Sequence, residues 1–151
     1  MKILFIDDEY DRALPIVEYL QLKDQEVELK SIVLEAFNYF DAHKTTIDLI
    51  ILDIMMPIFE SDMVLFDSNY NIIESYSTGI SLYDKLTSEM PTTKNIPIVI
   101  LSARTDILKV RPDFEALRTE NKIAILEKPI SMKELLVALN SIHHKSKNGI
   151  R

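Results

Sequence analysis

Five short apolar runs punctuate the chain, at Lys2–Ile6, Val27–Leu29, Ile47–Leu52, Ile96–Leu101 and Ile123–Leu126. Each is bounded by polar or turn-forming residues and is nearly continuous rather than alternating, the pattern of a strand covered on both faces. Between the runs, apolar residues fall at helical spacing. Leu14, Val17 and Leu20 predict a first helix, with Leu22 at its margin and Pro15 in the opening turn, where a missing amide is harmless. Ile32, Ala36, Phe37 and Phe40 predict a second helix, and Ile80, Leu82, Tyr83 and Leu86 a third. Ile107 to Leu117 gives a less regular fourth, interrupted or begun near Pro112. In the fifth, Ser131 and Glu134 form a capping box ahead of the stripe Met132, Leu135, Leu136, Leu139 and Ile142.

Strands that alternate with helices need crossover connections, so the pattern predicts an α/β domain with a doubly wound, five-stranded parallel sheet between helical layers. A length of 151 residues supports one domain with a sizeable core. The absence of cysteine excludes disulfides, thiolate zinc sites and a cysteine nucleophile. A net charge of -7 argues against nucleic-acid binding by the domain as a whole, since phosphate contacts require a concentrated basic face. No apolar run is long enough to span a bilayer and no signal-peptide pattern opens the chain, so a cytoplasmic location is expected. Residues 146–151 read as a flexible basic tail, with a linker stub to a further domain as the alternative.

In a parallel sheet the working residues gather at the carboxyl ends of the strands. Here those ends carry Asp7-Asp8-Glu9, Asp53, Ser102-Ala103 and Glu127-Lys128-Pro129. Clustered carboxylates disfavour one another's ionised form unless a cation is present, and an all-oxygen donor set suits Mg2+. Asp53 as nucleophile, a metal and Lys128 against phosphoryl oxygens, and Ser102 as hydrogen-bond donor make an inventory for phosphoryl transfer to a carboxylate. Read alone, the acid cluster could equally be a helix-start feature, Ser102 a turn residue and Lys128 a surface lysine before a proline.

The segments ILFIDDE, IILDIMMP, VILSA and EKP, in this order and at these strand ends, resemble the receiver domain of two-component response regulators. The resemblance covers the chain from Lys2 to the helix after Ser131, and residues 1–145 are taken as the domain. It implies a flavodoxin-like αβα fold in which Asp53 accepts the phosphoryl group from a histidine kinase, a phosphotransfer protein or a small donor. It further implies that Asp8 ligates Mg2+ directly together with Asp53 and the carbonyl of Met55, and that Asp7 acts through water. Ser102 matches the switch hydroxyl and Lys128 the phosphoryl-contacting lysine, and the bond to Pro129 is expected to be cis.

Three departures from that pattern stand out. Ile125 occupies the position three before the lysine, where receivers commonly place an aromatic switch residue. The segment from Ser102 to Lys128 is slightly long and lacks a small-residue turn before the fifth strand, and Arg104 sits where the family tunes dephosphorylation. The largest departure is that Gly79 comes late, so that residues 58–77 form an insertion of about twenty residues, apolar and acidic and therefore ordered in expectation. Within it Met63–Phe66 and Tyr70–Ile73 flank Asp67-Ser68-Asn69, which predicts a β-hairpin serving as a lid, a partner surface or added core.

The function implied is a phosphorylation-dependent signalling switch, not an enzyme, acting through protein contacts with an unidentified downstream partner or as a homodimer. Two alternatives are a phosphorylation-independent interaction module and an aspartyl-phosphate hydrolase of the haloacid dehalogenase type. The hydrolase places its nucleophile on the first strand in an Asp-x-Asp motif, whereas here the acid pair comes first and Ile54-Met55 follows Asp53. Retention of Asp8, Asp53, Ser102 and Lys128 weighs against the module, because degenerate receivers usually lose one of them.

Overall fold

A computed structural model describes residues 1–66 and 78–148. Its sheet has five parallel strands, β1 (Lys2–Ile6), β2 (Glu26–Lys30), β3 (Leu49–Asp53), β4 (Ile98–Ser102) and β5 (Ile123–Glu127), in the order β2-β1-β3-β4-β5. The first half of the chain builds outward on one side of β1 and the second half on the other, which places the reversal of strand order beside β1 and β3.

Every residue of β3 and β4 is buried, as their unbroken apolar runs require. Alternate side chains feed two cores. Leu4, Ile6, Ile50, Leu52, Ile98 and Ile100 face α2 (Val33–His43) and α3 (Thr78–Ser88), while Ile3, Phe5, Leu49, Ile51, Val99 and Leu101 face α1 (Tyr10–Gln21) and α6 (Met132–Asn148). Each such side chain, fully buried, contributes about 1.5–3 kcal/mol of apolar transfer. The edge strand β2 alternates Glu26, Glu28 and Lys30 with Val27 and Leu29, so its outer face is charged and resists pairing with another sheet.

Helix α6 opens on the predicted box: the Ser131 hydroxyl accepts from the Glu134 amide at 3.2 Å, and the Glu134 carboxylate accepts from the Ser131 amide at 3.1 Å. The fourth helix is two, α4 (Ile107–Val110) and α5 (Asp113–Thr119), bringing the described α-helices to six. Pro112 is the cause, because it excludes the preceding residue from helical backbone, and Arg111 accordingly lies at φ -128°, ψ 79°. Asn121, at φ 57°, turns the chain into β5 in place of a glycine, since a short polar side chain tolerates the left-handed region.

Four expectations need correction. Pro15 is the sixth residue of α1, not part of its opening turn. Leu22 lies beyond the helix and is exposed. The tail predicted over 146–151 is helical through Asn148, and the buried Ser146 hydroxyl donates to the Asn95 carbonyl at 3.3 Å; residues 149–151 lie outside those described. The first strand of the predicted hairpin, Met63–Phe66, is not a strand, because Glu60–Leu65 forms a 3-10 helix. The hairpin's second strand and its turn fall outside the described residues.

The reason for the 3-10 turn is Asp62, which is fully buried. One carboxylate oxygen accepts from the Phe59 amide at 2.9 Å and curls the segment; the other accepts from the Leu34 amide at 3.0 Å. Helix α2 begins after Ile32, whose side chain offers no acceptor, so an orphan amide of its first turn is satisfied from the insertion. Leu65 and Phe66 complete the seat by packing on the core beneath α2 and α3.

Candidate functional site

Parallel pairing sets the carboxyl ends of the strands level. Asp53 closes β3 opposite Leu101, Ser102 closes β4 opposite Glu127, and the Lys128 amide donates to the Ser102 carbonyl at 2.8 Å. Asp7 and Asp8 follow directly on β1, and the Asp7 amide donates to the Lys30 carbonyl at 3.1 Å. The Lys128–Pro129 peptide is cis.

The side chains converge. Lys128 Nζ lies 2.9 Å from Asp53 Oδ2 and 3.2 Å from Asp7 Oδ2. The remaining oxygen of Asp53 accepts from the Met55 amide at 2.9 Å, and that of Asp7 from the Glu9 amide at 2.9 Å. Both carboxylates are thus oriented by backbone at one oxygen and by the ammonium at the other, and both are buried. Asp8 completes a trio of carboxylates whose nearest oxygens lie within 4.8 Å of one another.

One ammonium does not balance three such groups. Burial, and then the charge of Asp53, raise the pKa of Asp7 and of Asp8 above the ordinary carboxylate value. Burial works to depress Lys128, but its hydrogen bonds and charge interactions with Asp53 and Asp7 outweigh that and hold its pKa above the usual lysine value. Asp8 Oδ1 is buried and has no hydrogen-bond partner among the described residues. An unpartnered carboxylate oxygen beside two further carboxylates is a donor set that fits a hard divalent cation, Mg2+ foremost.

A cleft of about 310 Å³ opens over these groups, lined by Asp8, Glu9, Arg12, Asp53, Met55, Ala103 and Lys128. Of the residues singled out from the sequence, Asp7, Asp8, Asp53, Met55 and Lys128 are brought together. Ser102 is buried, and its hydroxyl accepts from the Arg104 amide at 2.9 Å within its own turn. Arg104 reaches away to Asp106, with Nε and Nη2 each 2.9 Å from a carboxylate oxygen. Ile125 is half-buried against the core that contains α2 and α3. Arg12 is the lining residue that sequence reasoning passed over. Its signal was present: an arginine four residues after Asp8, in a helix that starts at the cluster, returns over the acids that precede it.

Comparison with solved structures defines the class of fold. A response regulator receiver domain from Clostridium thermocellum matches with a TM-score of 0.67 at 23% identity, covering 97% of each chain. The receiver domain of the hybrid histidine kinase CckA matches at 0.65 and 22%, covering 95% of this chain and 99% of that one. The response regulator TrrA of Thermotoga maritima, solved in complex with Mg2+-BeF, matches at 0.64 and 22%, covering 93% and 97%. The chain therefore has the α/β fold of response regulator receiver domains. No protein-family model and no curated protein sequence matches it.

Proposed function

We propose that this chain is a receiver-type signalling switch that takes a phosphoryl group onto Asp53 in a Mg2+-dependent reaction and signals through contacts with other proteins. The observation that carries the proposal is the convergence of Asp53, Lys128, Asp7 and Asp8, from three strands far apart in sequence, at the edge of a receiver fold. Four matched positions in one constellation are hard to account for by packing, because burying these charges costs free energy.

The reaction forms a bond from an Asp53 carboxylate oxygen to phosphorus and breaks the bond from phosphorus to the donor's oxygen or nitrogen. The leaving group departs with the electron pair, and a nitrogen leaving group also takes up a proton from solvent. The Met55 amide and the Lys128 ammonium hold the carboxylate in one orientation before attack. Asp8, Asp53 and the carbonyl of Met55 are the proposed direct metal ligands, with Asp7 acting through water. Magnesium, when bound, neutralises charge on the phosphoryl oxygens. Lys128, released from Asp53 as that oxygen is esterified, is placed to follow the charge onto the phosphoryl group.

Ser102 must exchange the hydrogen bond that its hydroxyl donates to the Arg104 carbonyl, at 3.2 Å, for one to the phosphoryl group if it serves as the switch hydroxyl. With Ile125 in place of an aromatic, the turn Ser102–Arg104 and the seat of the insertion are the elements free to report that exchange. The proposed donor is a histidine kinase or phosphotransfer protein, the output a downstream protein or a second copy of the chain, and the location cytoplasmic. Among the described residues no helix is long and apolar enough to cross a membrane.

The test is incubation with Mg2+ and acetyl phosphate or phosphoramidate, followed by intact mass. One added phosphoryl group in the wild type, absent from Asp53→Asn, supports the proposal. No adduct with either donor returns the chain to the phosphorylation-independent interaction module.

A further inference from the structure

We infer that Arg12 is a donor-binding residue, receiving the oxygens of an incoming phosphoryl dianion at the mouth of the Asp53 cleft. The inference rests on the reading of Asp53 as phosphoacceptor and concerns how a phosphodonor is captured. Of the residues lining the cleft, Arg12 and Lys128 are the cations. Lys128 is engaged by Asp53 and Asp7 before any donor arrives. Among the described residues Arg12 is tied only at Nη1, 2.7 Å from Glu9 Oε1, and its side chain is 79% exposed, so Nε and Nη2 are open to a ligand there.

Charge makes this placement matter. Asp7, Asp8, Glu9 and Asp53 bring four carboxylates to one strand edge, and Lys128 with a divalent metal leaves one negative charge in excess. A dianionic donor approaching that surface is repelled. Arg12 cancels the excess, and a guanidinium presents two parallel N–H groups that match two phosphoryl oxygens. Its tie to Glu9 is an exposed pair of the kind worth little, so exchanging Glu9 for phosphate costs little. Its site in the first turn of α1, four residues after Asp8, puts it on the wall of the cleft that Asp53 lines, with its head exposed.

The phosphoryl dianion could reach the cleft on a small acyl phosphate or on a phosphohistidine, and two donors separate these sources. Rates of adduct formation are measured by intact mass against donor concentration, with acetyl phosphate for the acyl class and phosphoramidate for the phosphorus–nitrogen class. The wild type is compared with Arg12→Gln and Arg12→Lys. Arg12→Gln is expected to raise the half-saturating donor concentration about tenfold, the effect of one charge-assisted hydrogen bond, with the maximal rate little changed. Arg12→Lys is expected to recover part of the loss, and added salt to weaken the wild type more than Arg12→Gln. A larger effect on one donor identifies the source for which the cleft is built.

A readout without turnover accompanies these. Calorimetric titration with Mg2+ is expected to give binding in Arg12→Gln at least as tight as in the wild type, because a repelling cation has been removed. Loss of structure at the site would weaken both metal and donor. If the wild type is labelled and Arg12→Gln keeps the same half-saturation and salt dependence, or loses Mg2+ affinity in parallel, the inference is overturned while the assignment of Asp53 stands. If the wild type is labelled by neither donor, the assignment itself fails and takes the inference with it.

Discussion

Asp62 is a fully buried carboxylate that is not part of the Asp7–Asp8–Asp53 cluster, and removing it tests what holds the insertion to the domain. Its two oxygens accept from the amides of Leu34 and Phe59 at 3.0 and 2.9 Å. In Asp62→Ala both amides lose their partner, and one of them belongs to the first turn of α2, which has no local cap. A lost N-cap costs about 0.5–2 kcal/mol, and a hydrogen bond to a charged acceptor contributes about 1.5–3 kcal/mol. Relief from burying the carboxylate offsets part of this, so a net loss of about 3 kcal/mol is expected, a large share of a total of about 5–15 kcal/mol. With a urea m-value of about 2 kcal/mol/M, the midpoint should fall by about 1.5 M without a change in slope. Asp62→Asn keeps one carbonyl oxygen and should lose about half as much, ~1.5 kcal/mol. A midpoint for Asp62→Ala within about 0.3 M of wild type, equivalent to ~0.6 kcal/mol, would refute the clasp as an energetic link.

Three further outcomes can be checked. Gly79→Ala should destabilise by about 3 kcal/mol or more in the same denaturation assay, since its Cβ would meet the backbone at 2.2 Å from Ile54 Cα and 2.6 Å from the Asp53 carbonyl oxygen. Lys128→Met leaves the buried Asp7 and Asp53 without their cation, and should lower stability by about 3–5 kcal/mol, with thermal melts recovering part of it when Mg2+ is added. Glu134 is held below its ordinary value of 4.5 by hydrogen bonds from the Ser131 hydroxyl and amide. Its contribution is therefore fully present above that pH and is lost as pH falls through the depressed value, so the stability gap between wild type and Glu134→Gln should close on acidification.

The sheet was legible because its information is local. A run such as Leu49–Leu52, short, rich in isoleucine and bounded by aspartates, reads as a strand buried on both faces, and a parallel sheet then carries Asp7, Asp8, Asp53 and Lys128 to one edge. What escaped the sequence depends on distant contacts or on rotamers. Met63–Phe66 has strand-like composition, but Asp62 is drawn to an amide 28 residues earlier and the chain curls instead. The basic end looked like a tail until Ser146 met the carbonyl of Asn95. Ser102 falls at its expected strand end, yet its hydroxyl is held by the Arg104 backbone, donating to the carbonyl and accepting from the amide, and the guanidinium of Arg104 is turned by Asp106 two residues on.

The Ile54 peptide has a further consequence. Its amide donates to Leu101 on β4, while its carbonyl accepts from Gly79 at 3.2 Å, the residue at which the chain returns from the insertion. The segment therefore leaves and re-enters the domain at nearly one point, with the exit fixed by β3 and the return by α3. The entropy of closing a loop depends only weakly on length, each doubling costing about 0.6 kcal/mol. Segments of quite different size could occupy this position without disturbing the strands beneath. The carboxylate cluster at the strand ends and the segment beside it are thus under separate constraints, one set by the geometry of the sheet and the other, beyond the Asp62 clasp on α2, chiefly by whatever it must touch.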